Sequence, residues 1–303
     1  MLFEKEALPI PDQIERLRQR GLIFDDEHLA GRYLSNISYY RLSAYWFTFL
    51  HPGEDHIFKD GSNFQQVVDT YVFDRKLRIL VFDEIERIEI SLRTQIIYHF
   101  GLEFGKNWYE DKALFKCREY HDRFIEIMEE EMGRSSEKFI GHYKKKYTDP
   151  VNPPCWMALE LASFGQLSSL YKNAIACKAK KQVAAHFGLD DSILTSWLEA
   201  ISYIRNRSAH HARLWNKKLP KKPKIPTHPI NRWLYILPEQ SMLNRVYTGL
   251  ACVLYLLKTI VPSTSFTKRL LVLVDSYPDI PLHYMGFPDN WKDDPFWDIP
   301  ALT

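Results

Sequence analysis

The stretch ISYIRNRSAHHARLW, residues 201–215, sets Arg205, Asn206, His210, His211 and Arg213 into a segment whose other residues carry helical apolar spacing. On an α-helix Asn206, His210 and Arg213 stand at i, i+4 and i+7 and share one face. Leu194, Trp197, Ile201, Ile204, Ser208 and Trp215 fall on a different face, the one expected to be buried. Arg205 lies between the two, roughly 140° from His210 at about 100° per residue. The guanidinium and the imidazole therefore meet at one point only if the helix distorts or a second copy of the chain supplies a partner.

This set suits cleavage of a phosphodiester in RNA. The ribose 2′-OH is an internal nucleophile that needs a base to take its proton and an acid to protonate the leaving oxygen. Histidine serves in either role near neutral pH. Guanidinium groups stabilise charge building on phosphorus without a metal, and Asn206 would orient a phosphate or the imidazole. DNA lacks the nucleophile, so the substrate class is RNA. The plainer alternative stays open: a polar face of Arg, Asn and His on a helix is commonly just solvated, and one histidine can be satisfied inside a core. His211 lies nearer the apolar face and reads as structural.

Beyond the motif, the connector NKKLPKKPKIPTHP holds Lys217, Lys218, Lys221, Lys222 and Lys224. With Arg213 they would guide an RNA backbone in a salt-sensitive way, or they are an ordinary solvated loop. Lys144, Lys145 and Lys146, and Lys178, Lys180 and Lys181, could extend the same surface, but read first as solvated lysines. Upstream, Asp83, Glu86 and Glu89 offer carboxylates; one could pair with Arg205, or Glu86, Glu89 and Arg93 could form intrahelical ion pairs. No spacing resembles a metal-ligand set, so no metal and no other cofactor is expected. The aromatic residues Tyr39, Tyr40, Tyr45, Trp46 and Phe47 could stack unpaired bases, but at helical spacing they read as core.

The elements that must position these residues are helical. Apolar residues recur three and four apart, with no alternating β-branched run. The spacing predicts helices over 11–20, 26–50, 64–100, 118–132, 153–171, 190–216 and about 240–260. Val67, Tyr71, Leu77, Val81, Ile85, Ile88, Leu92 and Ile96 mark the buried side of the longest, and Trp156, Leu159, Phe164, Leu167 and Leu170 read as packing. HPGEDHIFKDGSN is a loop, and proline forbids a helix over the lysine-rich connector. The expected fold class is all-α, a helical bundle with a helical N-terminal region (1–62), a core (63–276) and an irregular Pro/Trp-rich tail (277–303) that reads as a surface-clamping arm or a partner-docking segment.

With 303 residues, 46% of them apolar, the chain can bury a large core. A net charge of +2 excludes a histone-like binder but permits local basic patches. Four scattered cysteines, Cys117, Cys155, Cys177 and Cys252, argue against a disulfide framework and fit a reducing cytosol. The N-terminus has no apolar leader, and the run LACVLYLLKTIVP is shorter than a bilayer span of about 20 residues. A cytoplasmic protein, with no membrane partner, is the expectation.

Arg205-Asn206-Arg207-Ser208-Ala209-His210 matches the R-x4–6-H signature of HEPN ribonucleases, polar residue after the arginine included. ISYYRLSAYWFTF (37–49), YVFDRKLRILVFDEIERIEISLRTQI (71–96), PPCWMALELASFGQLSSLY (153–171) and IRNRSAHHARLWN (204–216) occur in that order. Together they resemble the Abi-like abortive infection proteins of bacteria, of the AbiD/AbiF type, over roughly residues 8–260. The resemblance implies a HEPN-like helical bundle and a role in defence against bacteriophage. It further implies metal-independent endoribonuclease activity, with Arg205 and His210 as the motif's fixed residues and Asn206 its polar neighbour. HEPN sites are usually composed from two units, so a homodimer is implied. Kinship with proteins linked to adjacent noncoding RNAs, and with RNA-targeting CRISPR effectors, implies a structured noncoding RNA as a further partner. The rival reading is a non-catalytic module that holds such an RNA; a HEPN scaffold serving dimerisation alone is a third.

Overall fold

The computed structural model describes residues 6–53 and 56–299. The first five residues, on which the expected lack of a leader partly rests, lie outside the described residues. So do Glu54 and Asp55 of the expected loop and the last four residues of the tail.

Among the described residues there are twelve α-helices and no strand, only isolated bridges. They run Ile10–Gln19 (α1), Glu27–Ile37 (α2), Tyr39–Trp46 (α3), Phe64–Phe104 (α4), Arg118–Arg134 (α5), Lys138–Lys146 (α6), Cys155–Ala158 (α7), Phe164–Asn173 (α8), Lys178–His186 (α9), Asp191–Ala209 (α10), Val246–Ile260 (α11) and Phe266–Asp275 (α12). The fold class is therefore all-α, as the periodicity requires. No helix among the described residues is long and apolar enough to cross a membrane.

The chain divides into two units, Met1–Arg78 with Leu271–Ile280, and Ile79–Leu270 with Pro281–Thr303. In the first, Leu17, Ala30, Leu42, Val67, Phe73 and Leu77 are buried. Its interior also holds a polar pair, the Tyr45 hydroxyl donating to Asp74 Oδ2 at 2.7 Å. Tyr45 and Trp46 are core, as expected, but Tyr40 is 88% exposed and Phe47 lies largely on the surface, so the aromatic cluster splits.

In the second unit α10 packs on α8, α9 and α11. α11 is buried from Val246 through Leu257, a helix apolar all round and so sealed on every side. Gly249 admits a close approach to α10: a Cβ there would come within 2.4 Å of Ile204 Cδ1. On α4, Val81, Ile85, Ile88, Leu92 and Ile96 are buried as their spacing demands.

Four expectations need correction. The stretch 26–50 is two helices, because Ser38 takes a left-handed conformation (φ 72°) and its side chain caps the next helix by accepting from Arg41 N. The stretch 153–171 breaks before Ser163, which starts α8 with a reciprocal cap to Gln166; Trp156 is about half exposed rather than packed. The helix begun at Asp191 stops at Ala209, not 216. The tail is no surface arm: Trp291, Phe296 and Trp297 are buried, and Trp297 Nε1 donates to the Tyr247 hydroxyl at 3.0 Å. Its short 3₁₀ turns bring three large aromatics inward, where their area is worth most. Helices α6, α9 and α12 went unanticipated, and α6 contains Lys144, Lys145 and Lys146.

Candidate functional site

The motif occupies the last turn of α10 and the reversal after it. His210 is the C-cap, with φ −89° and ψ 16°. His211 follows at φ 54°, the left-handed conformation that closes a helix end. His211 N donates to Ser208 O (3.2 Å) and Ala212 N to Arg207 O (2.8 Å), which is the paired pattern of a Schellman turn. Arg207 fixes the reversal by donating from Nε to Arg213 O at 2.7 Å, and its guanidinium lies over the Tyr203 ring. Arg213 therefore does not continue the helical face of Asn206 and His210. His211 is exposed at the turn and not inside the apolar face.

Buried residues set the direction of everything else. Leu194, Trp197, Ile201, Ile204 and Ser208 form the inward side of α10, as their spacing required, and Trp215 is buried beyond the turn. Asn206 and His210 are exposed, and Arg205 is partly so. The His210 imidazole carries no hydrogen bond or ion pair among the described residues.

Arg205 turns to α4. Its Nε stands 3.8 Å from Glu89 Oε2, and its guanidinium lies over the Phe82 ring at 5.7 Å. The other oxygen of Glu89 accepts from Arg93 Nη2 at 3.0 Å. Arg93 also donates to Leu159 O (3.0 Å) and Ala162 O (2.9 Å), which ties α4 to the segment before α8. Glu89 thus joins both partners that spacing allowed, Arg93 within its helix and Arg205 across from it. Asp83 instead pairs with Arg269 at 2.6 Å. Asn206 faces the opposite neighbour, its Nδ2 about 4.0 Å from where a Cβ on Gly165 of α8 would stand. One chain therefore points Arg205 toward α4, and Asn206 toward α8.

The lysines divide along the connector, which runs back beside α10. Near the motif, burial together with the charges of Arg207 and Arg213 holds the Lys217 ammonium below its usual range. The Lys218 backbone forms an isolated antiparallel bridge with that of Arg245, whose Nη1 donates to Asn216 Oδ1 at 2.7 Å. Further back, Lys221 pairs with Glu199 at 2.6 Å and Lys222 donates to Gln240. Lys224 is fixed through its backbone: its N–H donates to Ser196 Oγ and its carbonyl accepts from Trp197 Nε1 at 2.8 Å. Trp197 in turn stacks on Trp233 at 4.7 Å. The connector is irregular, as its prolines demand, yet it is pinned to the core.

Lys221, Lys222 and Lys224 line a cleft of about 930 Å³ together with Lys116, Lys172 and Lys180. Lys180 is almost wholly buried; its Nζ donates to Ala174 O (2.9 Å) and Lys172 O (3.2 Å), closing the end of α8. Burial, aided by Lys116, pushes its ammonium down to about 8. Solvated it is not, and its fellows Lys178 and Lys181 are. The cleft and the role of Arg207 were not legible in the sequence, since each depends on what two distant segments place side by side. Among the described residues no group of three or more His, Cys, Asp or Glu is placed to hold a metal ion.

The family model described as Abi-like protein matches residues 32–216. That span includes α10 and the whole Arg205–His210 motif. No curated protein and no solved structure matches the chain.

Proposed function

The chain belongs to the Abi-like protein family, and on that premise we propose that it is a phage-defence protein acting on RNA, a metal-independent endoribonuclease of HEPN type working as a homodimer in the cytoplasm. The observation that carries this reading is the exposure of Asn206 and His210 where α10 ends, with Arg205 partly exposed on another face of the helix and paired with Glu89 of α4. Such groups are open to a polynucleotide rather than consumed by packing.

The reaction needs a base, an acid and a cation. One imidazole takes the proton of the ribose 2′-OH as its oxygen bonds to phosphorus. The bond from phosphorus to the 5′-oxygen breaks, and a protonated group delivers a proton to that oxygen. The products are a 2′,3′-cyclic phosphate and a 5′-hydroxyl. Arg205 stabilises the charge on the equatorial oxygens, and Asn206 holds the scissile phosphate. Within one chain Arg205 and His210 diverge around the helix, so the complete set requires the two motifs of a symmetric pair, which supplies a second His210 as well. Arg213 and Lys217, gathered around Arg207, extend positive charge toward the approaching backbone.

A second reading has one observation in its favour: Glu89 already neutralises Arg205, as suits a protein that holds a structured RNA without cutting it. Incubation with mixed RNAs in excess EDTA decides between them. Cleavage leaving 2′,3′-cyclic ends, reduced about 10²- to 10⁴-fold in Arg205→Ala and His210→Ala, supports the nuclease. Tight binding with intact RNA supports the holding module. Cleavage undiminished in both variants overturns the assignment of the site.

A further inference from the structure

Side chains on α10 fall on one line where their accumulated offset, about 100° per residue, comes back close to a full turn. By that count Ser192, Glu199, Tyr203, Asn206 and His210 share a stripe, and none of them is buried. α8 flanks one side of it, running antiparallel: Gly165 stands by Ser202 and Asn206, and Lys172 reaches Glu199. The connector flanks the other side, also antiparallel, with Arg213 at Arg207, Lys221 at Glu199 and Lys224 at Ser196. The stripe therefore leads from the lysine cleft, whose lining reaches Glu199, along α10 to His210.

Glu199 sits in the middle of it. A single oxygen, Oε1, accepts from Lys172 of α8 and from Lys221 of the connector, both at 2.6 Å. Burial pushes the Glu199 carboxyl up, but these two ammonium groups outweigh it and hold the carboxyl below its usual range. A carboxylate shared by two lysines from opposite walls fills the place of an anionic ligand, and six lysines lining one cleft exceed what Glu199 and Asp191 can balance. Tyr120, 70% exposed, also lines the cleft and presents a ring on which a base can stack.

We infer that this cleft is a second phosphate-binding subsite for the RNA strand whose scissile link meets His210, with Lys172 and Lys221 as the principal contacts once phosphate displaces Glu199. The inference rests on the reading of the protein as one that binds RNA. Eleven residues separate Glu199 from His210, about 16 Å along the helix. A stacked strand advances about 3.4 Å per phosphate, so about five steps, or six phosphates, engage both ends.

The test uses the intact protein and oligonucleotides bearing 2′-O-methyl groups throughout, which bind but offer no nucleophile, in lengths from two to ten nucleotides. The expected result is a sharp gain in affinity once the strand carries about six phosphates. Lys172→Gln with Lys221→Gln should remove about tenfold of that gain and leave the dinucleotide unaffected, while Glu199→Gln should tighten the longer strands by freeing both ammonium groups. Length dependence that ignores all three substitutions, with RNA still bound, overturns the subsite and leaves the RNA reading standing. No binding at any length in low salt removes the RNA reading itself, and the subsite with it.

Discussion

At the residue scale the site turns on two side chains that have little to do with catalysis. His211 occupies a left-handed conformation at φ 54°, and only because it does so can α10 end where Asn206 and His210 stay exposed. A side chain with a Cβ costs about 1–2 kcal/mol in that region. His211→Gly should therefore raise stability by about 1 kcal/mol, and His211→Val should lower it; thermal melts of the pair check the sign of each. Glu89 is the other. Its pairing with Arg205 sets how much positive charge the motif offers to RNA. Glu89→Gln keeps an oxygen for Arg93 and removes the anion, so the slope of log affinity against log salt should steepen by about 0.7, one further cation on a single strand. An unchanged slope would mean that Arg205 does not meet phosphate.

At the scale of elements, α10 is held by contrasting glycines. Gly249 on α11 lies where a methyl group would press on Ile204, a residue with no exposed surface in which to move. Gly249→Ala should cost about 1–3 kcal/mol in denaturant unfolding, and adding Ile204→Val, which removes the offending Cδ1, should return part of it. Gly165 on α8 would place its methyl 3.5 Å from Ser202 Oγ, an ordinary contact. Gly165→Ala should be neutral or stabilising by about 0.5–1 kcal/mol through helix propensity. A large loss there would show that α8 approaches α10 more closely than these distances state. The connector belongs to the same scale. Its lysines read in sequence as a loose solvated loop, whereas Trp197 and Ser196 tie it along α10 and make it a wall.

For the molecule as a whole, Trp291, Phe296 and Trp297 near the end of the chain belong to the core of the unit that carries the motif. Trp297 is fully buried against Tyr247 of α11, and Asp294 accepts from the backbone of Tyr235 and Ile236. Trp297→Ala should cost about 3–5 kcal/mol, read as a lower denaturant midpoint. A cost below 1 kcal/mol would return the tail to the surface role its composition suggested. Proline and tryptophan in FPDNWKDDPFW break regular periodicity, so the segment reads as surface although its aromatic side chains are buried.

The sequence by itself determined the helical class, the inward side of α4 and of α10, and the polar character of the motif's outer side. These follow from a period of 3.6 residues, a local property that every turn repeats. It did not determine where α10 stops, which carboxylate meets Arg205, or which lysines share a cleft. The stop rests on a single backbone torsion whose alternatives differ by a kcal/mol or so, too little to stand out against the helical pattern around it. The pairings of Glu89 with Arg205 and of Glu199 with Lys172 and Lys221 join segments far apart in the chain. Only packing brings such groups within reach, and charge in a sequence carries no direction until a fold supplies one.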